Sequence, residues 1–253
     1  MILYFSATGN CLYVARELDD TIVSILTAIK EEKYDFSDEM IGLVVPTYAG
    51  EMPRIVRRFI EKATFNTDYF YIISTYGMND SVASEWASEF CEAHGIKVNY
   101  ANTLQMVDNY LPSFDVDEQK EIDKKIPEQL SLIKEDLKQR KRFIKQPTED
   151  GREKYNLVQI RFKEHPEFNN GEQIKITDKC IECGICTRVC PIKNLEMVNS
   201  KAIKKNDTCE FCLACANNCP SKAIIMSIAD KNSNARFRNE YVTLQDIIKS
   251  NQQ

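Results

Sequence analysis

The sequence predicts an α/β protein: a doubly wound parallel sheet of five strands, followed by a small α+β module held together by metal. Three observations lead there. Over roughly the first 145 of 253 residues, short apolar runs alternate with helical patterns, the arrangement of a parallel sheet covered by helices on both faces. Eight of the ten cysteines crowd between Cys180 and Pro220 in two copies of one spacing. The length also suits two domains, since the cysteine-rich module needs only about sixty residues.

Met1 to Phe5 is an apolar run with β-branched and aromatic content, read as the first strand. It ends at Ser6-Ala7-Thr8-Gly9-Asn10-Cys11, after which Leu12, Tyr13, Val14, Ala15 and Leu18 carry a helical pattern. A small polar loop between strand and helix points N–H groups and hydroxyls at the positive end of the helix, which makes a phosphate site without Lys or Arg. The competing reading is that Ser6 or Thr8 only caps the helix. Further strands are expected at Ile22 to Leu26, Ile41 to Val45, Tyr69 to Ser74 and Ile96 to Ala101, with helices at Arg54 to Lys62 and Val82 to His94.

In open sheets, ligands lie beyond the carboxyl ends of the strands. Three loops fall there: Ser6 to Cys11, Pro46 to Met52, and Thr75 to Asp80. Two carry an aromatic at the tip, Tyr48 and Tyr76, beside Gly50 and Gly77. An aromatic plane beside a glycine turn suits packing against a flat tricyclic ring. Asp117 to Ile144 then reads as one helix, its stripe formed by Ile122, Ile126, Leu130, Ile133, Leu137 and Ile144, with Pro127 kinking or restarting it. Lys145 to Gly171 is polar, with Pro147, Gly151 and Pro166, and reads as an interdomain connection.

The first cysteine set is Cys180, Cys183, Cys186 and Cys190, followed by Pro191. The second is Cys209, Cys212, Cys215 and Cys219, followed by Pro220. Every member of the second set lies 29 positions after its counterpart, so the segment is an internal repeat. Each copy reads C-x2-C-x2-C-x3-C-P, the run for two cubane iron-sulfur clusters, in which the fourth cysteine ligates the other cluster. The spacing therefore pairs Cys180, Cys183, Cys186 and Cys219 on one 4Fe4S cluster, and Cys209, Cys212, Cys215 and Cys190 on the other. Disulfides would need an oxidising compartment. Structural zinc sites use two Cys pairs across a long loop, or Cys with His. Ala223 to Ile228 reads as a closing strand able to pair with Gln173 to Ile176, and Tyr241 to Lys249 as a short terminal helix.

Residues 1–115 carry 8 Lys and Arg against 17 Asp and Glu, while residues 174–230 carry 8 against 6. No basic stripe interleaves with aromatics, so a nucleic-acid binder is not indicated. The longest apolar runs, such as Ile2 to Phe5, are too short to span a bilayer. No basic n-region opens the chain, and the expected location is cytoplasmic, where thiols stay reduced. The only histidines, His94 and His165, have no partner suggesting a nucleophile triad. Cys91 and Trp86 read as core residues.

Residues 174–230 closely resemble the bacterial two-cluster ferredoxins, and residues 1–145 look like a flavodoxin-type domain whose FMN phosphate loop is similar to Phe-Ser-Ala-Thr-Gly-Asn. The whole chain resembles the flavodoxin-ferredoxin fusion proteins of anaerobic prokaryotes, with 146–173 as connection and 231–253 as a C-terminal extension. That resemblance implies FMN, two 4Fe4S clusters, strand order 2-1-3-4-5 and electron transfer between redox proteins. It places the phosphate on Ser6, Thr8, Gly9, Asn10 and the amide of Cys11. It places the ring between Thr47, Tyr48, Ala49 and Gly50 on one side and Thr75, Tyr76 and Gly77 on the other. Two departures stand out: Cys11 replaces the usual Thr, and Met78 follows Gly77, where it is expected simply to pack.

Single-electron transfer between clusters, flavin and redox partners is the first functional reading. It rests on the lack of any nicotinamide fingerprint or catalytic acid or base. A flavin-dependent reductase of a small acceptor is the second reading, and a cluster-based redox sensor or docking module the third.

Overall fold

The structure, a computed structural model, describes residues 1–251. The chain divides into two units. The first comprises Met1–Ser6, Asn10–Met106 and Lys124–Gln159; the second comprises Ala7–Gly9, Val107–Asp123 and Ile160–Gln253.

The first unit is built on β1 (Ile2–Tyr4), α1 (Asn10–Leu18), β2 (Ile22–Ser24), α2 (Ile25–Lys30), β3 (Asp35–Ser37), β4 (Met40–Pro46), α3 (Arg54–Ile60), β5 (Thr64–Asn66), β6 (Tyr69–Tyr76), α4 (Ala83–Ala93) and β7 (Tyr100–Gln105). All pairings in its main sheet are parallel, in the order β2-β1-β4-β6-β7 with one further edge strand. The central strands read as nearly continuous apolar runs because both their faces are covered: Leu43, Val44, Ile72 and Ile73 are fully buried. Each such side chain contributes about 1.5–3 kcal/mol on leaving water. Gly42 is required where it stands. A Cβ there would collide with the ring of Tyr71, its partner in register on β6.

Past β7 the chain forms α5 (Val116–Glu121), α6 (Ile126–Lys138), β8 (Phe143–Ile144) and α7 (Glu149–Glu164). Several expectations are corrected in this stretch. The helix expected over Asp117 to Ile144 is two helices and a strand. Lys125 turns left-handed at φ 48°, and Pro127 opens α6, where its missing N–H costs nothing. Leu130, Ile133 and Leu137 face the core as expected, but Ile122 is exposed. Phe143–Ile144 pairs with β7, so the sheet has six strands rather than five. The polar stretch read as a connection holds the sixteen-residue α7, whose charges are its solvated face.

Elsewhere, the strand expected from Ile96 starts at Tyr100; just before it, Asn99 is tied to Phe70 through both its backbone N–H and its side-chain oxygen. Ile22 to Leu26 turns helical after Ser24, whose hydroxyl caps α2. A parallel pair, β3 with β5, had no clear sequence signal. Cys91 is buried, while Trp86 is only half-buried, stacked on Phe90 at 5.2 Å beneath the Arg57 guanidinium.

The second unit adds β9 (Ile174–Ile176), α8 (Ile185–Val189), β10 (Leu195–Val198), β11 (Lys201–Lys204), α9 (Ala214–Asn217), β12 (Ile224–Met226) and α10 (Leu244–Ser250). The closing strand pairs with β9 antiparallel, as the sequence suggested, and β10 with β11 form a hairpin. Its core joins Ile174, Leu195, Ile224 and Phe237 to Leu111, Val116, Cys186, Cys190 and Cys219. No helix among the described residues is long and apolar enough to cross a membrane.

Candidate functional site

The 29-residue repeat of the sequence is copied in the backbone. Glu182 and Phe211, one repeat apart, are both left-handed at φ 62° and 53°; so are Gly184 and Leu213 at 67° and 55°, and Lys193 and Lys222 at 53° and 55°. A left-handed Leu costs on the order of 1–2 kcal/mol, so the conformation at Leu213 is held by what the loop must do. Each of the second left-handed residues opens a short helix, α8 or α9, from which the third cysteine of its set projects. The fourth cysteines match as well. The N–H of Asn194 donates to Cys190 Sγ at 3.3 Å and that of Ala223 to Cys219 Sγ at 3.2 Å. Backbone donors of this kind disperse charge on a metal-bound sulfur and raise the potential of the centre it serves.

The thiols fall into two groups. Burial pushes the Cys186 thiol up to about 11, helped by Cys219, Cys183 and Cys180. Cys212 is raised well above the usual thiol range by burial and by Cys209, Cys190 and Cys215; Cys215 is raised by burial, Cys190 and Cys209. Cys186 also acts on Cys215, so the two sets adjoin, with Cys219 beside the first and Cys190 beside the second. Cys180, Cys183, Cys186 and Cys219 also line one small pocket, partly open to solvent and otherwise walled by residues that include Ile176, Ala202 and Ile224. Among the described residues, no three His, Cys, Asp or Glu side chains are grouped so as to hold a single ion.

This portion of the chain has relatives. Residues 172–220 match the family described as 4Fe-4S dicluster domain. The match spans all eight repeated cysteines and assigns this part of the chain a 4Fe-4S cluster and a role in electron transfer. No curated protein matches the sequence.

The residues expected at the sheet end are placed as follows. Ser6, Thr8, Asn10 and Cys11 are all buried, and Gly9 is left-handed at φ 103°. Within the first unit, Cys11 Sγ lies 3.1 Å from Thr75 Oγ1, joining the first loop to the third. Burial raises this thiol to about 12, so it stays neutral. In the second loop, Tyr48 and Glu51 exchange backbone hydrogen bonds of 2.8 and 3.1 Å across Ala49 and Gly50, both left-handed at 54° and 88°. That is a two-residue turn with positive φ at both central positions. Thr47 donates its N–H to the Thr75 carbonyl at 2.9 Å, binding the second loop to the third. Tyr76 is half-buried, and Gln105 Nε2 donates to the Gly77 carbonyl at 2.9 Å. Met78, expected to pack, is instead 46% exposed.

Sequence reasoning missed the side chains that support these loops. The Tyr155 hydroxyl donates to Glu51 at 2.9 Å, its ring lies over Gly50, and Gln159 donates to the Ala49 carbonyl. Both come from α7. Lys145 pairs with Asp80 at 2.6 Å and lies 5.8 Å from the Tyr76 ring centre. Arg57 pairs with Glu51 at 2.9 Å. The carboxylates nearest the second and third loops are thus neutralised, although this half of the sequence is acidic. The helical stripe of α7 is too polar to have been picked out by periodicity.

Proposed function

We propose that the protein carries single electrons between two 4Fe4S clusters and an FMN, linking low-potential redox partners. The observation that carries the reading is the paired repeat: two sets of four thiols on two copies of one backbone loop. Cys180, Cys183, Cys186 and Cys219 would hold the first cluster, and Cys209, Cys212, Cys215 and Cys190 the second.

The parallel sheet supports the flavin half. Its first five places, β2-β1-β4-β6-β7, follow the 2-1-3-4-5 order once the separate β3–β5 pair is set aside. The residues of the first loop suit a phosphate. Thr8 Oγ1 accepts a hydrogen bond from Asn109 at 3.1 Å, which leaves its own proton to donate to an anion. The uncharged Cys11 thiol adds no repulsion, and α1 starts at Asn10 with the positive end of its dipole. Ser6, Thr8, Gly9, Asn10 and Cys11 would hold the phosphate, and Thr47, Tyr48, Ala49, Gly50, Thr75, Tyr76 and Gly77 would flank the ring. When bound, FMN exchanges electrons one or two at a time, which suits it to face one-electron clusters. The chain's own residues set the working range by burial and by N–H donors to sulfur.

Cofactor analysis of anaerobically purified protein tests this. The reading expects about eight irons, about eight sulfides and about one FMN per chain. Iron at that level without flavin, even after FMN is added back, would leave the cluster half and remove the flavin half.

A further inference from the structure

The Thr8–Gly9 turn is held by residues remote in sequence, all within the second unit. Besides the bond from Asn109 to the Thr8 hydroxyl, the N–H of Asn239 donates to the Thr8 carbonyl at 2.9 Å. A Cβ on Gly9 would lie 2.9 Å from that of Asn239 and 3.0 Å from that of Val242. Asn109 is itself anchored, for its carbonyl accepts from Asn217 Nδ2 at 3.3 Å. Asn217 Oδ1 in turn accepts the N–H of Phe237 at 3.0 Å. Asn217 is buried in α9, two residues after Cys215 and two before Cys219.

An unbroken run of hydrogen bonds and one backbone segment therefore leads from the cysteine helix to the hydroxyl of Thr8. That helix has only four residues, too few to persist unaided. Cys215 within it and Cys219 just after it fall in different thiol sets by the spacing, so both sets bear on its position. The amide of Asn109 decides how the Thr8 hydroxyl is used: with a lone pair engaged by the amide, the proton turns outward as a donor.

We infer that Asn109 and Asn217 are positioning residues through which the iron-loaded cysteine module sets how well the Thr8–Gly9 turn holds the FMN phosphate. The inference rests on the reading of that loop given above. Coupling of this kind is reciprocal: what iron does for flavin binding, flavin does for iron retention.

The test is anaerobic titration of FMN into the full iron-loaded chain, followed by quenching of flavin fluorescence. Wild type, Asn109→Leu, Thr8→Val and the double variant are compared, with iron and sulfide counted for each. Asn109→Leu keeps the backbone carbonyl that receives Asn217 and removes the side-chain amide that donates to Thr8. It is expected to weaken FMN binding about tenfold at unchanged iron, while the same change in the Thr8→Val background costs less than about twofold. FMN should also slow iron loss to a chelator in wild type, and less in Asn109→Leu. Equal losses in both backgrounds, or an Asn109→Leu chain with wild-type affinity, would overturn the inference and leave the flavin reading standing. A wild-type chain that takes up no FMN would remove both.

Discussion

The cysteine module and the loops at the end of the sheet encode their chemistry over different ranges. In the module, ligand identity, spacing and backbone shape all lie within one 41-residue stretch, Cys180 to Pro220, and the repeat of 29 positions reappears as matched left-handed residues and matched N–H···S bonds. At the sheet end, three short loops carry the candidate groups, but their support comes from far along the chain: Cys11 meets Thr75, Tyr155 meets Glu51, and Asn109 meets Thr8. The difference teaches that a metal-held site is legible because the metal dictates local spacing. A site shaped by packing is legible only in its first layer.

The largest effect that would sharpen this contrast is expected from Cys190→Ala. This residue belongs to the first motif in sequence but acts electrostatically on Cys212 and Cys215 of the second. Iron should fall from about eight to about four per chain, the remaining cluster being that of Cys180, Cys183, Cys186 and Cys219. Spectroscopic loss confined to that other cluster would break the exchanged-ligand assignment.

A smaller effect is expected from Gly9→Ala, on the loop side of the comparison. The left-handed φ and the close approach of Asn239 and Val242 leave no room for a Cβ, so the tip must shift at a cost of about 1–3 kcal/mol. FMN affinity should drop at least tenfold while iron content is retained. Unchanged affinity would mean that the tip does not shape the phosphate site.

Legibility followed the same division in the fold. The β-strands with continuous apolar runs, Ile41 to Val45 and Tyr69 to Ser74, were readable because two covered faces demand apolar residues at every position. The β9–β12 pairing was readable from its place on either side of the repeats. The edge strand Phe143–Ile144 was not, because two residues carry no periodicity. Helix α7 was hidden by its charge: it works through a few polar contacts, Tyr155, Gln159 and Arg152, rather than an apolar stripe. Of the candidate site, every thiol and every loop residue was named from sequence. Asn109, Asn217, Asn239 and Tyr155 were not, since an asparagine or tyrosine in a polar stretch gives no sign of the distant group it will meet.

The most direct measurement of the central claim is an anaerobic reductive titration of the loaded chain by a one-electron donor, followed by absorbance of clusters and flavin together. The account predicts that about four electrons are taken up per chain, about one by each cluster and two by FMN, with flavin reduction accompanying cluster reduction. Uptake of about two electrons, with added FMN left oxidised in solution, would contradict it.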